Sequence, residues 1–211
     1  MLTSRPVSWI NTAFPFGAAY LLATREIDAV FLIGVIYFLV PYNLAMYGIN
    51  DVFDYESDAA NPRKGGVEGA LLAPRLHRPT LWIAALTNIP FLALLALAGG
   101  PAVWIALAVS AFAVVAYSAK GLRFKERPVL DSLTSSTHFV SPAVVGLLLA
   151  GASFDVPVVL LLAAFFLWGM AAHAFGAVQD IGPDREAGIG SIATAFGARA
   201  TVWLSLALWG A

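Results

Sequence analysis

The sequence contains no cysteine, which excludes disulfides, thiolate metal centres and a cysteine nucleophile. Charge is scarce too: 12% of residues are Asp, Glu, Lys or Arg, where a soluble domain carries about 25%. That leaves too little polar surface to cover a soluble globule. With 12 basic and 13 acidic residues the net charge is −1, so there is no basic footprint for nucleic acid. The three histidines, His77, His138 and His173, are too scattered for a zinc site. No short repeat or polar tract points to a fibrous or disordered chain. Apolar surface is what the 211 residues have in abundance: 60% are hydrophobic and mean hydropathy is +0.80. These are the marks of a membrane protein.

A membrane-spanning helix needs about 20 mostly apolar residues. Such runs fall at 7–24, 29–49, 80–98, 102–118, 130–150 and 156–179. A seventh begins near Ala200 and stops at Ala211, too short to cross, which predicts a chain cut short of a longer bundle. A signal peptide is the ordinary alternative for the first run. Pro6 and Pro15 interrupt that run, no cleavage site follows, and five more spans come after it. The connections segregate by charge. Arg5 and the loops 51–79, 119–129 and 180–199 hold eleven of the twelve Lys and Arg residues, leaving only Arg25 on the other side. The positive-inside rule then predicts a multi-pass plasma-membrane protein with its N-terminus and the loops after spans 2, 4 and 6 in the cytoplasm. The predicted fold class is all-α, a polytopic transmembrane helical bundle forming one domain over 1–211. Its polar mass, and so its function, is expected at one membrane face.

Span 2 ends in Asn50-Asp51-Val-Phe-Asp54-Tyr-Glu-Ser-Asp58, followed by Asn61-Pro62-Arg63-Lys64-Gly65-Gly66. If the helix continues past Asn50, then Asn50, Asp54 and Asp58 share a face over about 12 Å, and Asn61-Pro62 is a plausible stop. Asp54 and Asp58 repel at that spacing unless a cation lies between them. Oxygen donors of this kind suit Mg²⁺, which binds through a few carboxylates together with phosphate oxygens. The ordinary alternative is a solvated acidic helix end. Span 6 repeats the pattern, with Asp180 and Asp184 four apart at the same predicted face and Pro183 hinting at a turn. Two such clusters facing each other across a bundle suit a polyanion held through divalent cations, which points to a dinuclear Mg²⁺–diphosphate site. The loop carrying Tyr117, Ser118, Lys120, Arg123, Lys125 and Arg127 is ordinary positive-inside anchoring, and also a cationic clamp for phosphate. His138 and His173 lie inside apolar spans, where an ionisable group is a functional candidate by default. His138 follows Thr134-Ser-Ser-Thr137, which equally suits a polar helix–helix seam; His173 lies about two turns above Asp180 and is a candidate pocket wall. A cation or proton pathway is the competing class, but the ionisable residues cluster at one face and no acidic chain reaches the other.

These motifs resemble the UbiA superfamily of intramembrane prenyltransferases: Asn50-xxx-Asp54-xxx-Asp58, Asp180-xxx-Asp184, Tyr117-Ser118 with Leu122-Arg123-Phe124-Lys125, and Arg5-Pro6 before span 1. The resemblance implies about nine helices around a central cavity in the whole family fold, roughly the last quarter of which would be absent here. It predicts that residues 1–211 alone lack robust activity. It implies that Asn50, Asp54, Asp58, Asp180 and Asp184 are catalytic, holding two Mg²⁺ and the diphosphate, with Arg5, Asp51, Tyr117, Arg123 and Lys125 contacting the diphosphate. His173 and His138 would line the acceptor pocket. The partners implied are an allylic diphosphate, a hydrophobic acceptor and the lipid bilayer. Ser4–Pro15, Pro41–Asp51, Asn61–Gly69 and Leu133–His138 are similar to the lycopene-elongase branch, which extends lycopene with C5 units from dimethylallyl diphosphate to C50 carotenoids. An aromatic quinone precursor, a chlorophyll-type or a glycerol-phosphate acceptor is the alternative within the family. CDP-alcohol phosphotransferases also use acidic membrane motifs, but their Asp-Gly-x-x-Ala-Arg segment does not occur in this sequence.

Overall fold

The computed structural model describes residues 2–60 and 71–211, which form helices and turns with no strand among them. Two 3-10 turns, Leu2–Ser4 and Pro6–Ser8, lead into α1 (Ile10–Thr24). The second crossing consists of α2 (Ala29–Leu39) and α3 (Pro41–Phe53), followed by the short α4 (Tyr55–Ala60). Next come α5 (His77–Ala98), α6 (Pro101–Ser118), a 3-10 turn at Phe124–Glu126, and α7 (Leu130–Leu149). α8 (Val156–Ala177) continues through a 3-10 turn, Val178–Asp180, into α9 (Ile181–Glu186), and α10 (Ile192–Trp209) ends the chain. The expected Asn61-Pro62 stop and the Asn61–Gly69 stretch fall outside the described residues.

Among the described residues, six segments are long and apolar enough to cross a membrane: Ala29–Phe53, Pro74–Ala98, Pro101–Ser118, Leu130–Leu149, Val156–Glu186 and Ile192–Trp209. The chain is a multi-pass membrane protein. The 15 residues of α1 reach about 22 Å, at roughly 1.5 Å per residue. Two expectations are corrected. The span read as one helix over 29–49 breaks at Val40 (φ −114°, ψ −62°), because Pro41 has no N–H for the ladder and starts a new helix at its first position. Buried Asn43 satisfies the carbonyls left at that break, donating from Nδ2 to Phe38 O (2.8 Å) and Leu39 O (3.1 Å). The last helix is no stub beginning near Ala200. It starts at Ile192 with a Ser191–Thr194 capping box and runs 18 residues, kinked at Gly197 where φ is 77°. Arg199 and Gly197 disguise it as loop in the sequence.

α7 sits at the centre, packed against α1, α6 and α8, while α3 packs on α5 and α10 on α8. Polar residues make part of this seam: Ser136 donates to Phe166 O (2.6 Å), and Gly169 gives it room, since a Cβ there would meet Ser136 Oγ at 2.5 Å. Leu86, Leu97, Ile105, Leu161 and Trp203 face outward and are largely exposed, as lipid contact requires. The start of α1, the end of α3, the α6–α7 connection and the α8–α10 connection meet at one end of the bundle.

Candidate active site

The first acidic motif straddles the end of α3. Asn50 and Asp51 lie in its last turn, Asp54 caps it, and Asp58 follows in α4. The helix is interrupted at Asp54 (φ −102°, ψ 2°), yet Asp54 N–H donates to Asn50 O (2.9 Å) and Asp58 N–H to Asp54 O (2.8 Å). The helical spacing of the three residues therefore survives the break. The Asp54 side chain is 2% exposed and ion-paired to Lys125 Nζ, with Arg123 Nη2 3.5 Å from its Oδ1. Burial pushes the Asp54 carboxyl above the usual range, and Lys125 and Arg123 oppose that rise. Arg123 also donates to Phe53 O (3.3 Å) and is hydrogen-bonded to Glu126, which raises its own pKa and lowers that of Glu126. Three residues before the Asp54 cap, Asp51 accepts from Arg5 Nη2 at 3.1 Å, while the Arg5 guanidinium lies 4.4 Å from the Tyr47 ring centroid.

Arg5 and Arg123 share a backbone feature that no motif announces. Their φ angles are 48° and 43°, in the left-handed region that non-glycine residues avoid at a cost of about 1–2 kcal/mol. Both guanidinium groups are aimed at the α3 carboxylates from that conformation, and such strain concentrates at functional sites.

The second motif lies across a cavity of about 360 Å³ lined by Tyr117, Lys125, His173, Gln179, Asp180 and Asp184, among others. Asp180 ends the 3-10 turn that extends α8, and Asp184 lies in α9. Pro183 does not break the segment, because it falls in the first turn of α9, where its missing N–H has no helical acceptor to serve. Lys125 thus links the two motifs by position: its ammonium pairs with Asp54, and its side chain lines the same cavity as Asp180 and Asp184. His173 is in the same wall. His138 sits behind Tyr117, with ring centroids 5.5 Å apart, and its Nδ1 is 3.2 Å from Tyr42 Oη.

The donors fit a hard cation. Asn50 Oδ1 is buried with no hydrogen-bond partner, and the carboxylates around it are all oxygen ligands. Among the described residues no three Asp, Glu or His side chains gather into a cage for an ion. Each motif supplies two carboxylates, the pattern of an ion shared between protein and phosphate oxygens.

Asp131 is the residue that sequence reasoning missed. It is fully buried at the start of α7, its Oδ2 accepts the Ile192 N–H (2.7 Å), and His173 Nε2 is 3.9 Å away. Its partners lie far along the chain, so only its position at the head of an apolar span could have drawn notice.

A family model described as the UbiA prenyltransferase family matches residues 12–211. The C(50) beta-cyclic carotenoids biosynthesis protein LbtBC of Dietzia sp. (strain CQ4) is 62% identical over 207 residues, covering 98% of this chain and 48% of that protein. The chain therefore spans about half the length of that relative. A lycopene elongase/hydratase of Corynebacterium glutamicum is 56% identical over 209 residues, covering 99% of this chain and 73% of its own length. Among solved structures, a UbiA homolog from Archaeoglobus fulgidus bound to GPP and Mg²⁺ has a TM-score of 0.78 at 19% identity, covering 97% of this chain and 71% of the other. The same homolog bound to DMAPP and Mg²⁺ gives a TM-score of 0.75 at 23% identity, covering 98% of this chain and 75% of the other. At these identities the two structures establish the fold.

Proposed function

This chain belongs to the UbiA prenyltransferase family, and on that premise we propose that it transfers the prenyl group of dimethylallyl diphosphate to lycopene, at the cytoplasmic face of the plasma membrane. The observation that carries this reading is Lys125, a cation paired with the first acidic motif that lines the same cavity as the second, at one end of a membrane bundle. The lycopene acceptor is supported by the names of the Dietzia and Corynebacterium relatives.

Asn50, Asp54, Asp58, Asp180 and Asp184 would hold Mg²⁺, which when bound neutralises diphosphate oxygens and eases departure of pyrophosphate. Arg5, Arg123 and Lys125 bind and orient the diphosphate through charge-assisted hydrogen bonds, which strengthen as negative charge develops on the leaving group. The allylic C–O bond breaks with its electron pair leaving on pyrophosphate. An alkene carbon of the acceptor then attacks the allylic cation, a C–C bond forms, and the resulting cation loses a proton or adds water. Tyr117 and His173 wall the site against bulk water, and the Tyr117 ring offers a π face to the cation.

The test is a product assay with the full-length protein in lycopene-containing membranes supplied with dimethylallyl diphosphate and Mg²⁺, with and without EDTA. The expected result is metal-dependent conversion of lycopene to C45 and C50 products. Prenylation of an aromatic acceptor with lycopene untouched would discard the carotenoid and keep the prenyl chemistry. Absence of transfer to any acceptor would overturn the reading.

A further inference from the structure

The two acidic motifs belong to segments far apart in the chain, and something must hold the second in register with the first. Asp180 and Asp184 lie between α8 and α10, on a stretch whose hydrogen bonds are mostly local. Two of its contacts with the rest of the site stand out. Gly190 presses against the α6–α7 connection so closely that a Cβ would lie 2.7 Å from Glu126 O, one residue from Lys125. One turn further into the protein, Asp131 Oδ2 accepts the Ile192 N–H at 2.7 Å, and its Oδ1 accepts the Ser132 N–H at 2.7 Å. Ile192 is the first residue of α10, so this N–H has no acceptor within its own helix. A carboxylate at that point also meets the positive end of the helix dipole. Across the same oxygen, His173 Nε2 approaches to 3.9 Å from α8. The residue is entirely buried.

We propose that Asp131 is a positioning residue that clasps the start of α10 to the head of α7, and so keeps Asp180 and Asp184 opposite Lys125. Its importance to the reaction rests on the reading of that cavity as the diphosphate site. The clasp itself does not, and the two are separable by experiment.

The absence of native cysteine allows clean labelling. Spin labels at Lys120→Cys and Glu186→Cys, both exposed positions on opposite sides of the cavity, report the distance between the two connections by pulsed electron paramagnetic resonance. Three further substitutions are placed in this background. Asp131→Ala removes the acceptor. Asp131→Asn keeps an amide oxygen that can accept the Ile192 N–H while removing the charge. Ile192→Pro removes the donor at a helix position that tolerates proline, after a residue already extended at φ −148° and ψ 168°. The expected result is a narrow distance distribution in the parent, preserved in Asp131→Asn and broadened in both Asp131→Ala and Ile192→Pro. Affinity for inorganic pyrophosphate with Mg²⁺, by calorimetry, should fall about 10- to 100-fold in the two broadened variants and about threefold or less in Asp131→Asn, the scale of one lost charge-assisted hydrogen bond. A narrow distribution in both Asp131→Ala and Ile192→Pro would overturn the proposal, as would an Asn variant indistinguishable from Ala. If the parent binds no pyrophosphate, the functional reading fails, and the distance distributions still decide whether the clasp exists. Should Asp131→Ala not fold, Ile192→Pro against Asp131→Asn makes the same comparison.

Discussion

Aspartates occur at both ends of this bundle, and Asp28 and Asp155 on one side sit at the opposite helix end from Asp54 on the other. Away from the site, Asp28 and Asp155 are N-caps. Each accepts the N–H three residues on, at Phe31 (2.8 Å) and Val158 (3.1 Å), where the helix dipole welcomes negative charge. At the site end, Asp54 caps the C-terminus of α3, where the dipole repels it. The same side chain stabilises its helix in the first setting and burdens it in the second. A carboxylate buried at a helix C-terminus needs cations to be tolerated, and Lys125 and Arg123 converge on Asp54, with Arg5 on Asp51 beside it. The capping aspartates serve structure; on the proposed function, Asp54 serves chemistry.

The difference between the two ends can be broken by substitution. Removing a misplaced carboxylate should have the largest effect: Asp54→Ala should reduce pyrophosphate release about 100- to 1000-fold, the scale of losing one electrostatic stabiliser in a buried site, while circular dichroism shows the helices intact. Lys125→Met should cost less, about 10- to 100-fold, expressed mainly in KM for the allylic diphosphate, because one cation of three is lost. Asp155→Ala, at the opposite end, should lower unfolding stability by about 1 kcal/mol and change the initial rate by less than about twofold. The smallest effect concerns pH. The Phe31 N–H, and after it the Tyr20 hydroxyl, hold the Asp28 carboxyl below its ordinary value. A depressed folded-state pKa contributes stability that is present above the unfolded value and lost as pH falls through the folded one, so the thermal midpoint should decline below about pH 4. Asp28→Asn, which keeps a good cap, should flatten that decline.

The helical membrane bundle was legible in the sequence, because apolar run length reports spans directly. The i, i+4 spacing of Asn50, Asp54 and Asp58 foretold a shared face, and the helix break at Asp54 left that spacing intact. What escaped notice depends on contacts distant in the chain. The break at Val40 is stabilised by Asn43 bonding to Thr12 Oγ1 at 2.7 Å, 31 residues away. The start of α10 is fixed by Asp131, 61 residues earlier. The left-handed backbones of Arg5 and Arg123 leave no trace in composition at all. Local pattern specifies helices well and their long-range clasps poorly.

The central claim is that the two acidic motifs form one centre. A double-mutant cycle on initial rates of pyrophosphate release, with Asp54→Ala, Asp184→Ala and the pair, tests it most directly. One centre predicts that either single substitution costs nearly as much as both together. Independent, multiplying losses, or an Asp184→Ala variant as active as the parent, would contradict it.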